Sequence, residues 1–490
     1  MTEETKQNSL KNKSIKAVMW SGGEVIARQG IRLIVSVFLA RLLTPEEFGT
    51  VALIYIFSDI AHAFVDSGFS AALGQRQDIT HTDESTVYWF SIGMAVICAS
   101  LLWAASPYIA DFYRLEVLAP LITVLGLNIV VMSLGSVHHP LLTKRLELKK
   151  ITIITACALF ISGCTAVWLA IEGFGVWALA LQQVTESVVS SVLLWVLSGW
   201  RPGFVFSLAS LKRLFGFGGF LMLTSFLDIA YNRAYALIVG KVYGVGDLGF
   251  YNRADNARQI PMQALWIFLS RVAFPIFSAA AGDIERIRRG MQYSIRGVMF
   301  INIPIMLGLM VTSESVIVLI YGDQWISATP LLQILCLGGI LMPLHLINLN
   351  AIKAIGHSKV FFKAELIKKL IGTGMLVFGL MFGILGLAWS QVAYSIMGFL
   401  VNAYFSGRYF NYGPLQQVLD FLPALLLSAI MACTVFAMGE YWHNEFIPLL
   451  SLQVVVGGVF FIMLCQVFRL KAYTEVRTML TQGFAKNKSI

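Results

Sequence analysis

The sequence predicts an all-α integral membrane protein of about 14 transmembrane helices, built as two parallel six-helix lobes plus two extra C-terminal helices. Three observations predict it. Of the 490 residues, 57% are hydrophobic and only 13% charged, where a soluble domain carries about 25% charged residues. Apolar stretches of about 20 residues recur along the whole chain, the length that crosses about 30 Å of hydrocarbon. Lys and Arg gather on alternate connections between these stretches. Backbone polar groups in lipid must bond within their own segment, so the stretches are read as helices. The short alternating segments of an outer-membrane barrel do not occur.

The spans are expected near 17–40, 50–72, 86–109, 117–140, 151–171, 175–198, 214–240, 250–278, 294–320, 329–352, 361–382, 384–406, 418–439 and 446–468. With the N-terminus in the cytoplasm, 27 of the 36 basic residues fall on the cytoplasmic side. Three (Arg41, Arg114 and Lys241) fall opposite, and six lie within spans or at their ends. That asymmetry follows the positive-inside rule and places both termini in the cytoplasm. The net charge of +9 calls for no nucleic acid, because an anionic inner leaflet accounts for it. A polar stretch with Lys6, Lys11, Lys13 and Lys16 precedes the first span, and no cleavable signal peptide is expected. The six cysteines all fall within spans without a CxxC pair, so they read as small packing residues.

The halves resemble each other. Ala40-Arg41-Leu42-Leu43-Thr44-Pro45-Glu46-Glu47-Phe48-Gly49 follows the first span, and Gly240-Lys241-Val242-Tyr243-Gly244-Val245-Gly246-Asp247-Leu248-Gly249 follows the seventh. Pro120-Leu121-Ile122 opens the fourth span and Pro330-Leu331-Leu332 the tenth, preceded by Tyr113 and Tyr321 respectively. Matches in the same order imply six spans, six more in the same orientation, and two extra. The lobes are expected at 1–199 and 200–412, with the last two spans and a cytoplasmic tail at 413–490. Parallel repeats of this kind commonly bind substrate between the halves.

Ionisable residues inside spans are costly and usually face a protein interior or a wet cavity. Tyr55, Asp59, His62 and Asp66 share one face of the second span by their i, i+4, i+7, i+11 spacing. Glu24, Arg28 and Arg32 form a stripe on the first span. Ser225, Asp228, Asn232 and Tyr235 do so on the seventh, and Asn252, Asp255, Asn256, Gln259, Gln263 and Ser270 on the eighth. Spans 1, 2, 7 and 8 are therefore expected to line one hydrophilic cavity. Plainer roles stand beside this one. Glu24 and Arg28 suit a structural ion pair, His62 a bond to a neighbouring helix, and Arg258 and Arg253 a snorkel to the headgroups. Gly379 and Gly383 read as a GxxxG packing motif. His138 and His139 lack further ligands, so no metal site is expected. The sequence holds no GxxxxGK[ST] phosphate loop and no HExxH or paired CxxC motif, which disfavours nucleotide hydrolysis and metal chemistry. No enzyme activity and no cofactor are expected.

The decapeptide at 40–49, Asp66-Ser67-Gly68-Phe69-Ser70 and Leu248-Gly249-Phe250-Tyr251-Asn252-Arg253-Ala254 resemble Wzx-type polysaccharide flippases. So do Tyr321-Gly322-Asp323-Gln324-Trp325 and Ala354-Ile355-Gly356-His357-Ser358-Lys359. These flippases form the polysaccharide transporter family of the multidrug/oligosaccharidyl-lipid/polysaccharide exporter superfamily, and the resemblance is to its colanic-acid branch. It runs from about residue 15 to 470. It implies a two-lobed fold in the bacterial inner membrane working by alternating access. The implied substrate is an undecaprenyl-pyrophosphate-linked oligosaccharide, flipped to the periplasmic leaflet for exopolysaccharide, O-antigen or capsule synthesis. A polymerase and a chain-length regulator are the implied partners beside membrane lipids. Arg28, Arg32, Arg233 and Arg258 are the positions that fit the pyrophosphate, since guanidinium grips phosphate bidentately. Glu24, Asp59, Asp66, Asp228 and Asp255, with His62, Asn232 and Gln259, are cavity or ion-coupling candidates. A small-molecule or cation antiporter of the same superfamily, or a non-transporting scaffold, is the alternative.

Overall fold

The computed structural model describes residues 23, 25, 27–66, 69, 73, 78–279, 282–355, 358–441 and 446–478. Among them the chain is helical almost throughout, and ten helical segments are long and apolar enough to cross a membrane. The chain is thus an all-α, multi-pass membrane protein. The ten coincide with expected spans 2–6, 9, 10 and 12–14. Expected spans 7, 8 and 11 are also helical. The first span is described in part, as helix over 27–42.

Two compact units divide the chain at Gly249 and Phe250. The first holds helix 27–42, α1 (Pro45–Asp66), α2 (His81–Tyr113), α3 (Leu118–Ser133), the short α4 (His138–Lys144), α5 (Leu148–Ile171), α6 (Val176–Ser198) and α7 (Leu208–Val242). The second holds nearly all of α8 (Val245–Ala279), then α9 (Ile284–Val311), α10 (Ser313–Tyr321) and a 3-10 turn (Asp323–Ala328). It continues with α11 (Thr329–Ala354), α12 (Ser358–Leu380), α13 (Gly383–Phe410), α14 (Pro414–Tyr441) and α15 (Phe446–Val467).

Local chemistry sets where these helices start. Before α1 the Thr44 backbone N–H donates to Glu47 Oε2 at 2.7 Å, and the Glu47 N–H donates to Thr44 Oγ1 at 3.3 Å. This reciprocal box satisfies two donors that a helix start leaves open, and Pro45 supplies a pre-set φ at the first position. Thr80 and Asp83 form a second box before α2. Ser207 and Asp283 accept from Ser210 and Arg286 backbone N–H groups before α7 and α9.

In the first unit α1 packs on α2, α3, α6 and α7, and α5 pairs with α6. The expected repeat acquires a physical meaning where α1 and α8 begin. A Cβ on Gly49 would collide with the Val245 carbonyl, and one on Gly249 with the Pro45 carbonyl. Positions 45 and 245, and 49 and 249, are those the two decapeptides place in register. The crossing is reciprocal and needs glycine on both sides. His138 is fully buried, its ring 5.0 Å from that of Trp200 and 5.4 Å from that of Trp195. It serves as a packing residue where the loop after α6 meets α2.

The second unit is built round an Ile- and Met-rich core from α9, α11, α13 and α14. Buried Asn348, Ser406 and Gln417 form an amide and hydroxyl network. Asn348 Oδ1 accepts from Gln417 Nε2 at 2.9 Å and from Ser406 Oγ at 2.5 Å. Arg296 donates to Asp420 at 3.0 Å and to Glu475 at 2.8 Å, tying α9 to α14 and to the helix that ends the described chain. Tyr412 donates to Asp420 at 2.6 Å. Burial, then this bond, push the Tyr412 hydroxyl above its ordinary range, so it stays a donor. A groove of about 530 Å3 between α9, α14 and α15 is apolar apart from Gln453 and Thr312. Of the expected GxxxG pair only Gly379 packs closely, where a Cβ would lie 2.9 Å from the Gly386 carbonyl. Gly383 instead takes a positive φ of 74° between α12 and α13.

Candidate functional site

A polar pocket of about 470 Å3 opens inside the first unit. Helix 27–42 contributes Arg32, and α1 contributes His62 and Asp66. The segment from the end of α3 into α4 gives Ser133, Ser136 and His139, and α6 gives Gln183, Glu186, Ser187 and Ser190. Its size lies within the range of small-molecule sites, about 300–1,000 Å3.

Arg32 and Glu186 in its wall are loosely paired. Arg32 Nη2 stands 3.7 Å from Glu186 Oε1, with the two side chains 55% and 33% exposed. That separation exceeds hydrogen-bond reach, so a donor and an acceptor face the pocket side by side. Gln183 Oε1 and Ser136 Oγ are buried without a hydrogen-bond partner. Such an atom costs about 1–3 kcal/mol until something satisfies it.

Several sequence-predicted residues come together here and others do not. Arg32, His62 and Asp66 share the pocket. Arg28 lies half-buried one turn earlier on the same helix. Asp59 is ion-paired with Arg233 of α7, the side chains 38% and 46% exposed. Arg258 is nearly buried and pairs with Asp255, which also accepts from Gln259. Its Cδ would lie 3.4 Å from a Cβ on Gly339, so Arg258 packs against α11, and two residues of the α8 stripe, Asp255 and Gln259, bond within their own helix. Glu24 lies outside the described residues, and Asp228 and Asn232 fall on α7 with their side chains outside the description. Among the described residues no group of His, Cys, Asp or Glu could hold a metal ion.

The reading by stripes missed α6. Gln183, Glu186, Ser187, Ser190 and Ser191 follow i, i+3, i+4, i+7, i+8, the same helical periodicity used for spans 1, 2, 7 and 8. The signal was present but carried by serines, which are cheap enough in a membrane helix to pass as packing residues.

Two of the motifs that carry the family resemblance are architectural. Arg253 lies over the rings of Tyr321 and Trp325, 5.4 and 5.7 Å from their centres, and Phe250 meets Trp325 edge-on. Two of the quoted motifs thus fold onto each other as a cation–π clamp, worth about 0.5–2 kcal/mol.

An all-helical, multi-pass fold with a charged pocket among its membrane-length helices is an architecture that membrane transporters use. The fold is that of a solved lipid II flippase MurJ in an inward closed conformation, at a TM-score of 0.72 and 16% identity, covering 92% of this chain and 98% of that one. An inward-facing multidrug-resistance MATE family transporter of the MOP superfamily matches at a TM-score of 0.59 and 16% identity, covering 84% and 98%. Residues 38–330 match the family model described as polysaccharide biosynthesis protein. The chain is 31% identical to the lipopolysaccharide biosynthesis protein WzxC of Escherichia coli (strain K12), over 68% of each chain. It is 26% identical to the teichuronic acid biosynthesis protein TuaB of Bacillus subtilis (strain 168), over 96% of this chain and 98% of that one. The chain belongs to this family of Wzx-like polysaccharide-biosynthesis transporters.

Proposed function

We propose that the protein flips a polyprenyl-diphosphate-linked oligosaccharide from the cytoplasmic to the periplasmic leaflet of a bacterial inner membrane, by alternating access of two lobes. Both termini are then cytoplasmic. The polymerase and chain-length regulator that consume the product are its working partners. The observation that carries this reading is a pocket among the first unit's membrane-length helices whose wall holds Arg32, Asp66 and Glu186. An ionic group kept open at membrane depth is expensive and is retained where a polar ligand passes. Arg28 and Arg233 suit the diphosphate. Arg32 opens on the first-unit pocket, and Arg258 reaches a ligand only by leaving Asp255. The chain has no nucleotide motif, so the step is driven by removal of flipped lipid or by an ion gradient. Asp59 and Asp228 are the acids to test for the second. The two carboxylates in the pocket wall keep one alternative open, an antiporter of cationic small molecules.

The decisive experiment is deletion of the gene in its host. Lipid-linked oligosaccharide should accumulate on the cytoplasmic side and extracellular polysaccharide should fall. Normal polysaccharide with altered resistance to cationic drugs would establish the antiporter instead. Flipping in vesicles with and without a proton or sodium gradient then separates the two driving forces.

A further inference from the structure

We propose that the first-unit pocket is a sugar subsite: it takes a neutral, hydroxyl-rich saccharide residue of the head group, and the diphosphate is held elsewhere. The inference rests on the flippase reading and assigns one part of the substrate to one part of the molecule.

The argument begins with charge. The pocket wall sets one guanidinium, Arg32, against two carboxylates, Asp66 and Glu186. A diphosphate needs a surplus of positive charge, and in this wall two carboxylates face one guanidinium, with two imidazoles, His62 and His139, beside them. A pyranose ring needs the opposite mixture, because each hydroxyl both donates and accepts. Here donors and acceptors are mixed. Arg32 offers N–H groups, Glu186 and Asp66 offer carboxylate oxygens, and Ser190 offers a hydroxyl that can play either part. The 3.7 Å gap between Arg32 and Glu186 leaves room for a sugar hydroxyl at its mouth, accepting from the guanidinium while donating to the carboxylate. Gln183 Oε1 and Ser136 Oγ, both without a hydrogen-bond partner, belong to side chains of the same wall. The volume of about 470 Å3 is in the range that encloses a small ligand rather than a long chain.

The subsite is tested on the purified full chain in nanodiscs by saturation-transfer NMR. The probes are methyl glucoside, methyl galactoside, methyl mannoside and inorganic pyrophosphate. At least one glycoside should show transfer in the wild type, and pyrophosphate should not displace it. Glu186→Gln and Gln183→Leu should each reduce that signal at least fivefold with an unchanged melting temperature. Ser190→Val is the second variant should either fail to fold. No transfer from any glycoside, transfer that survives all three substitutions, or displacement by pyrophosphate would each overturn the subsite. Lipid-linked sugar export is measured separately. Export without glycoside binding removes the subsite alone, and glycoside binding without export removes the flippase reading alone.

Discussion

The two units use the same ionic residue types for opposite ends. In the first unit two pairs stand open, Arg32 with Glu186 and Arg233 with Asp59, each partner about one third to one half exposed, while Arg213 pairs with a buried Asp83 at the start of α2. In the second, apart from the exposed Arg288–Glu285 pair at the start of α9, they are sealed. Arg258 and Asp255 are 11% and 23% exposed, and Arg296 with Asp420 and Glu475 about one fifth. The adjoining spaces differ in the same way, a polar pocket in the first unit and an apolar groove in the second. An exposed pair contributes little to stability, about 0–1 kcal/mol, because water and salt already satisfy its charges. A sealed pair becomes costly when one partner is removed, because the other is left buried and bare. Open pairs are therefore free to serve a ligand, while sealed pairs serve as struts.

The largest expected effect breaks a strut. Arg296→Ala leaves Asp420 and Glu475 without their shared cation and should destabilise the second unit by about 3–5 kcal/mol. Thermal melting in detergent and the amount of protein in the membrane measure it. An unchanged melting temperature would show that the network is as replaceable as the open pairs.

Next come the reciprocal glycines. Gly49→Leu and Gly249→Leu each push a side chain into a backbone carbonyl, at about 1–3 kcal/mol or more for an overpacked contact. Because the crossing is reciprocal, the two variants should lose export to a similar extent. One harmless and one severe result would show that only one side of the crossing is tight.

Asn348→Leu should cost about 1–3 kcal/mol by stranding the buried Gln417 and Ser406. Gln417→Leu should cost a similar amount, and the double variant less than the sum, since the two share bonds. Strict additivity would mean that the network is not a single unit.

The smallest effect on stability and the clearest on function belongs to the open pairs. Arg233→Ala and Arg32→Ala should shift the melting temperature very little yet lower polysaccharide export at least tenfold. Export at wild-type level with normal membrane content would reduce both pairs to surface decoration. A collapse in membrane content would instead move them into the class of Arg296.

What the sequence by itself determined is the part of the fold that lipid enforces. Composition, span length and the one-sided Lys and Arg each follow from the need to satisfy a backbone in hydrocarbon and to anchor loops in water, so the helical membrane class was legible residue by residue. The polar stripes were legible too, because burying charge in a span is expensive wherever the span packs. Which stripes would meet was not. The first, second and sixth spans bring Arg32, Asp66 and Glu186 to one pocket, whereas Asp255 of the eighth turns back on Arg258 and Gln259 in its own helix. Periodicity assigns a residue to a face but does not say what lies opposite, and that is fixed only when helices distant in sequence pack. The same holds for the shared decapeptides. Their glycines were visible as a repeat, but only the crossing of α1 and α8 decided that they are there because two backbones pass too close for a Cβ.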